Sequence, residues 1–495
     1  MPSQYQFFYL RKGNLIFMKQ TNEHQVTKKT NLSIIGIAGL AFCGVLVETS
    51  MNVTFPTLMR DFHQSLNAVQ WVTTGYLLTV ALTVVLAAFL QRRFKLHGLI
   101  VASSLAFITG GLLCVLAPQL WMLLLGRLIQ GISTGLAMPL LFFVIMQQIP
   151  FAMQGTYAGL GGMAIGLAPS LGPTYGGLVN QFINWRVIFW IVLPIGIIFG
   201  LIGIANIQQI NQPTTIHFQF LQYLLVAIGF ICLEMGLNSV GTSGFGSPAF
   251  YGNVIVALAA LIMFGYLTSH RRHPLVNTNV FADPIYLPCL LLYFMVQFIQ
   301  IGMTFLLPNC AQLTLHQNSF VAGLMLLLGA LISAVLLPLT GRLLDQSGIK
   351  KPLIFGALFT NLAVVLMYAF SSHLSMWSLT IFYAVYMVGF GFLFNNVMTY
   401  GLQHLKPQLV GDGNALFSTL QQYAGSIGTA CVSTILAITA AQMPHQSTVV
   451  QTAMGTKYSY VLFIIGALIM DVLIIDIWKQ IGKEKHSFEL LDQDK

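Results

Sequence analysis

Residues 155–177 read GTYAGLGGMAIGLAPSLGPTYGG, an apolar stretch unusually rich in glycine. In water each interior glycine costs a helix about 1 kcal/mol relative to alanine, so propensity alone does not explain them. A membrane does. Between lipid-embedded helices there is little hydrophobic drive to associate, and close backbone approach takes its place. Gly159, Gly162, Gly166, Gly172, Gly176 and Gly177 are the predicted approach points. Pro173 removes one backbone hydrogen bond and bends the helix, which neighbours tolerate by re-satisfying the freed carbonyl. A dinucleotide-binding loop is excluded because no strand-like run of soluble type precedes the glycines.

The rest of the chain agrees. Of 495 residues 56% are hydrophobic and 7% charged, against about 25% charged in soluble domains. This predicts an all-α polytopic membrane protein. The net charge of +9 does not suggest nucleic acid, because the basic residues are dispersed at the ends of apolar segments and form no groove-sized cluster. Six cysteines lie in or beside apolar spans without metal-like spacing, and are expected as free thiols. No metal, nucleophile or phosphate-loop constellation is present, so neither a cofactor nor an enzyme is expected.

Fourteen apolar spans, centred from Leu40 to Ala467, have the length of about 20 residues that crosses the hydrocarbon. With the N-terminus inside, eighteen lysines and arginines fall on the inner side, and only Arg60, Arg186 and Lys457 on the outer. The positive-inside rule then places both termini in the cytoplasm of a cell-membrane protein. The expected division is a leader at 1–30, a six-helix half at 31–209, an inserted hairpin of two helices at 210–270, a second six-helix half at 271–480 and a tail at 481–495. Translation from Met18 is an alternative start, because the first residues resemble translated upstream sequence. The loop after the tenth span and the loop after the second lie on the same basic face, which suggests parallel repeats with a binding site between them.

Gly341-Arg342-Leu343-Leu344-Asp345-Gln346-Ser347-Gly348-Ile349-Lys350 closely resembles the G-x-L-x-D-x-x-G-x-K motif of the major facilitator superfamily. Gly341 would let two helices meet, Gly348 would take a positive φ, and Asp345 would accept bonds from the N-terminus of a following helix. Lys350 would hold the loop at the anionic leaflet. A plain charged turn is the simpler alternative. In the first-half loop Arg92 replaces the acid and Ala88 the glycine, so that loop is expected to latch less well. Gly126-Arg127-Leu128-Ile129-Gln130-Gly131 resembles the R-x-x-Q-G motif of the exporters, and Gly172-Pro173-Thr174-Tyr175-Gly176-Gly177 their fifth-helix antiporter motif. Asn184-Trp185-Arg186 resembles the start of the sixth helix in the fourteen-helix drug:proton antiporter branch, the EmrB/QacA type.

This resemblance implies proton-coupled export of amphipathic organic compounds by alternating access, with protons, the small molecule and membrane lipid as partners, and a monomer. Two alternatives remain: an exporter of one metabolite, peptide or lipid-like product, and a transport-inactive sensor or scaffold. Glu48 and Arg127 are the expected proton-coupling residues. An intramembrane arginine costs at least about 2.5 kcal/mol and normally faces a cavity or a carboxylate. A static pair that merely permits two buried charges is the competing role. The family often has an aspartate where this chain has Val47, so its acid is turned by about 100° around the helix. Tyr76, Gln297, Gln300 and Asn395 are the expected polar anchors of a substrate cavity, although each taken singly is more often an interhelical bond. Glu234 and Asp471 are further acids within spans. Cysteines introduced at Gly244 and Ser372 should react with an impermeant reagent added outside, and those at Ser347 and Ser487 should not; labelling of Ser487 would refute the topology.

Overall fold

The computed structural model describes all residues except 1–8, 12–13, 17–25, 52–53, 65, 210–212, 215–217, 245, 271–276, 318 and 494–495. Met18, and Lys12, Lys19, Arg271, Arg272 and Lys495 of the inner basic set, lie outside the described residues. Ahead of the helices, β1 (Tyr9–Arg11) and β2 (Asn14–Ile16) pair as a short antiparallel ribbon. The helices are α1 (Lys28–Met51), α2 (Phe55–Phe62), α3 (Leu66–Arg93), α4 (Leu96–Leu116), α5 (Leu120–Gln148), α6 (Gln154–Phe182), α7 (Arg186–Asn206), α8 (Phe220–Ser243), α9 (Pro248–His270), α10 (Tyr286–Leu313), α11 (Ser319–Ser347), α12 (Lys350–Ala369), α13 (Met376–Gln403), α14 (Val410–Gln442) and α15 (Thr448–Gln493).

Apart from the 8-residue α2, every helix has at least 20 residues, long enough to span about 30 Å. Twelve of these fourteen are also apolar enough to cross a membrane. Of the remaining two, α6 is diluted by its glycines and prolines, and α8 is counted over Phe220–Leu233 alone because the Glu234 side chain lies outside the described residues. The first span is therefore α1, the second α3 and the fifth α6. At its end α15 continues through residues expected as a tail. All six cysteines are free.

One packing pattern occurs twice. In the first six long helices α1 packs on α5, α6 and α7, α5 on α3 and α4, and α4 on α7. In the last six α10 packs on α13, α14 and α15, α13 on α11 and α12, and α12 on α15. Two seams connect the sets, α3 with α14 and α6 with α11, and each is the image of the other. The hairpin α8–α9 lies outside this scheme, with α8 against α14 and α3.

Glycines are used where backbones must touch. A Cβ on Gly36 would collide with the backbone of Gly203, joining α1 to α7, and one on Gly110 with the carbonyl of Gly126, joining α4 to α5. The Asn184-Trp185-Arg186 stretch fastens the opposite rim. Trp185 is fully buried and donates Nε1–H to Asp61 Oδ2 at 2.8 Å. The Arg186 guanidinium stacks on the Trp185 ring at 4.2 Å and donates to the Ala117 carbonyl at 2.8 Å. The start of α7 is thus tied to α2 and to the end of α4. Trp185→Ala should cost about 3–5 kcal/mol and lower the melting temperature of the detergent-purified protein, whereas Trp185→Phe should cost about 1 kcal/mol for the lost hydrogen bond. Equal melting of all three proteins would refute this fastening.

Candidate functional site

Within the first six long helices, α1, α3 and α5 meet around a buried cation. Arg127, on α5, is 1% exposed. Its Nε donates to the Val72 carbonyl at 3.2 Å and its Nη1 to Gln130 Oε1 at 2.9 Å. The guanidinium lies 4.0 Å from the centre of the Tyr76 ring, a cation–π contact strengthened by exclusion of water. Nη2 is buried without a hydrogen-bond partner, an uncommon and costly state for a charged group. Tyr76 is itself fully buried, its hydroxyl bonding Thr134 Oγ1 at 2.7 Å and donating to the Gly44 carbonyl at 3.1 Å.

Glu48 stands one helical turn along α1 from Gly44 and is half-buried, the most accessible member of the group. It makes no direct ion pair with Arg127, since the one ion pair between described residues is Arg92–Asp412. Tyr76, which Arg127 covers, is close enough to Glu48 to experience both charges. The static Glu48–Arg127 pair considered from sequence is therefore absent here. The carboxylate is near the cation but free of it, and Nη2 is left unsatisfied.

The glycines of α6 explain how α1 is held beside this cluster. A Cβ on Gly172 would meet the Thr49 hydroxyl, and one on Gly176 the Ser50 backbone. Ser50 Oγ donates to the Gly172 carbonyl at 2.9 Å. The motif Gly172-Pro173-Thr174-Tyr175-Gly176-Gly177 thus packs against the turn of α1 that carries Glu48. Two of the predicted approach points behave differently: Gly166 makes only ordinary contact, at 3.7 Å from Leu337, and Gly177 faces open space.

At its other end α6 meets α11. Asp345 Oδ1 accepts from the Gly155 N–H at 2.8 Å, and Oδ2 accepts from the Thr156 N–H at 2.8 Å and the Thr156 hydroxyl at 2.6 Å. The carboxylate caps α6, across the seam, rather than the helix that follows it. This is a favourable place for an anion on both hydrogen-bonding and dipole grounds. Gly341 and Gly155 allow the approach, since a Cβ on either would collide with the carbonyl of the other. Gly348 turns the chain at φ +72°, and Lys350 is exposed beside it.

The image seam is latched with its charges exchanged. Arg92 Nη1 lies 3.2 Å from Asp412 Oδ2, in the first turn of α14, and the Asn277 N–H donates to Asp412 Oδ1 at 3.2 Å. The first-half loop therefore has a strong partner that comparison of the two loops could not reveal. Nearby, Asn395 donates to the Ala158 carbonyl at 3.0 Å, Asn414 to the Pro139 carbonyl at 2.7 Å, Gln147 to the Pro407 carbonyl at 3.1 Å and Gln403 to Gln154 Oε1 at 3.2 Å. All these cross-set bonds lie towards the end bearing Arg92 and Asp345. Between described residues none joins the two sets at the opposite end.

Of the four expected cavity anchors, Tyr76 belongs to the charged cluster and Asn395 to the seam. Gln297 is buried beside Tyr293, and Gln300 is half-buried beside Tyr383. Around them the last six helices form an aromatic wall that single-residue inspection missed. Phe390 and Phe394 stack at 4.8 Å, Tyr293 and Phe394 at 5.3 Å, and the Tyr293 hydroxyl donates to Gln421 at 2.9 Å. The spacing of Tyr386, Phe390 and Phe394 at every fourth residue was the available signal. Asp471 accepts from Asn361 Nδ2 at 3.0 Å and 3.1 Å between α12 and α15, away from this region. The Glu234 side chain is outside what the structure describes.

A helical membrane protein built as two repeated sets of six helices, with two polar seams at one end and a buried charge cluster in one set, has the architecture of a transporter. The model of the Major Facilitator Superfamily matches residues 37–429, and the chain belongs to that family. Among curated relatives it is 32% identical over 451 residues to the lincomycin resistance protein LmrB of Bacillus subtilis, covering 88% of this chain and 93% of the relative. It is 33% identical to the protein of that name in Listeria monocytogenes, covering 80% and 84%. The multidrug resistance protein B homolog of Mycobacterium tuberculosis is 26% identical, covering 82% and 76%. Among solved structures the proton:xylose symporter XylE shares the fold with a TM-score of 0.63 at 14% identity, covering 91% of this chain and 94% of that one. The human organic anion transporter MFSD10 does so with a TM-score of 0.62 at 14% identity, covering 90% and 100%.

Asp345→Asn retains size but loses the charge that caps α6. We expect normal membrane insertion with export slowed about three- to tenfold, the roughly 1 kcal/mol by which a charge-assisted hydrogen bond exceeds a neutral one. Unchanged export at matched protein level would refute a gating role for Asp345.

Proposed function

We propose that this protein exports amphipathic organic compounds across the cell membrane in exchange for protons, by alternating access between residues 31–209 and 271–480. The observation that carries the reading is the half-buried Glu48 carboxylate beside a buried arginine that has one unsatisfied nitrogen. A proton carrier must be reachable and must have two stable states. Glu48 is the reachable member of the cluster. When ionised it is drawn towards Arg127; when protonated it can remain apart, with the cation held by Val72, Gln130 and Tyr76. Because Gly172 and Gly176 seat that same turn of α1 on α6, a change in the position of Glu48 is mechanically connected to the helix that Asp345 caps. Proton binding can thereby alter the stability of a seam.

The named resistance relatives support a drug-like cargo, and the aromatic wall with Gln300 at its edge is suited to an apolar molecule with few polar groups. We place both termini in the cytoplasm, with all fourteen long helices crossing the membrane as a monomer in lipid. The latched end then faces the cytoplasm, which supports reading this conformation as one closed on that side. One proton carrying its charge inward through about 150 mV would contribute roughly 3.5 kcal/mol to uphill export.

Everted vesicles with this protein should exclude a fluorescent cationic dye when energised, and a protonophore should collapse the gradient. Glu48→Gln and Arg127→Ala should reach the membrane at normal level and lose this activity. If Glu48→Gln retained protonophore-sensitive export, Glu48 would not be the essential carrier. If the wild-type protein moved no member of a broad panel of cationic and neutral toxic compounds, a single-product exporter or a transport-inactive role would replace the proposal.

A further inference from the structure

The two seams are built differently. Between α6 and α11 the backbones touch through Gly155, Gly159 and Gly341. Between α3 and α14 no described glycine meets the backbone of the other helix, so larger side chains leave that seam wider. The hairpin α8–α9 lies against it. On α8, Val226 packs in a cluster with Val85 of α3, and the Phe230 ring packs at a tilt on that of Tyr423 of α14, 4.2 Å between centroids. Ahead of α8, Phe218 packs on Phe89 of α3 at 5.1 Å.

The connections of the hairpin are bonded to the two members of the ion pair that latches this seam. On the segment leading in, the Thr214 N–H donates to the Arg92 carbonyl at 2.9 Å. On the segment leading out, the Asn277 N–H donates to Asp412 Oδ1, while Oδ2 faces Arg92. The connection before the hairpin is thus bonded to the first set and the connection after it to the second, while α8 itself contacts both. Separating the ends of α3 and α14 must break the ion pair and at least one line of hairpin contacts.

We propose that the inserted hairpin is a clasp on the α3/α14 seam, stabilising the state in which this end is closed and performing there the function that glycine contacts perform between α6 and α11. The clasp is passive: it holds no ligand and sets the population of the closed state. Weakening it favours the alternative state without touching Glu48 or Arg127. This inference rests on the alternating-access reading above.

The test is pulsed electron spin resonance on the full chain in lipid vesicles, with spin labels at Arg93→Cys and Gln408→Cys and the six native cysteines replaced. The parent protein should give mainly a short distance across the seam. Phe230→Ala combined with Tyr423→Ala should raise the ratio of long to short distances about threefold or more, as expected for the loss of an aromatic pair. Thr214→Pro, which removes the N–H bonded to Arg92 and leaves the helices intact, should shift it in the same direction. Arg92→Gln serves as the comparison. If it lengthens the distance while both hairpin variants leave it unchanged, the clasp is wrong and the moving seam stands. If none of the three shifts the distribution, this seam does not open, and the clasp and the alternating-access reading fall together.

Discussion

The structure depends on the capping of the α6 N-terminus by Asp345. A helix begins with unsatisfied N–H groups and a partial positive charge. In α6 these groups are satisfied by a carboxylate from the opposite set of helices rather than by a local residue, because none of the side chains preceding the helix caps it. Closing the seam therefore completes a helix, and opening it uncovers polar groups that water must reach. The same constraint recurs with its charges exchanged, where Arg92 meets Asp412 at the start of α14. A gate made of such contacts has two discrete conditions with little between them, as alternating access requires.

In the proposed mechanism the helix carrying one seam would also carry the coupling. The first turns of α6 belong to the Asp345 latch and its last turns, through Gly172 and Gly176, to the strip of α1 beside Glu48. One helix thus touches both the turn of α1 that carries Glu48 and the seam closed by Asp345. Pro169 lies between the two attachments and Pro173 within the second. No chain of long-range signals is needed, only a helix with both ends occupied.

The fold was largely legible in the sequence because its determinants are local: length of apolar span, glycine where backbones touch, basic residues at helix ends. Gly341 and Gly348 were legible for the same reason, while for Asp345 the loop showed that it would cap a helix N-terminus but not that the helix would be α6. What could not be read were partnerships between distant segments. Asp412 gives no local sign that it answers Arg92, and nothing around Asn395 separates a cavity anchor from a strut on the α6 backbone. Tyr76 could be found as a polar residue in a span, but its place over Arg127 arises only when α3 and α5 pack. The fastening of α7 by Trp185 depends likewise on Asp61, more than a hundred residues earlier.

The central claim is that proton and cargo movements are tied through Glu48. The most direct test uses purified protein in sealed vesicles with a pH-sensitive dye inside, equal pH on both sides and a gradient of a transported compound as the sole driving force. The account predicts that the compound running down its gradient drives protons the opposite way and produces a pH difference, and that Glu48→Gln abolishes it. Passage of the compound at the normal rate with no change in internal pH would contradict it.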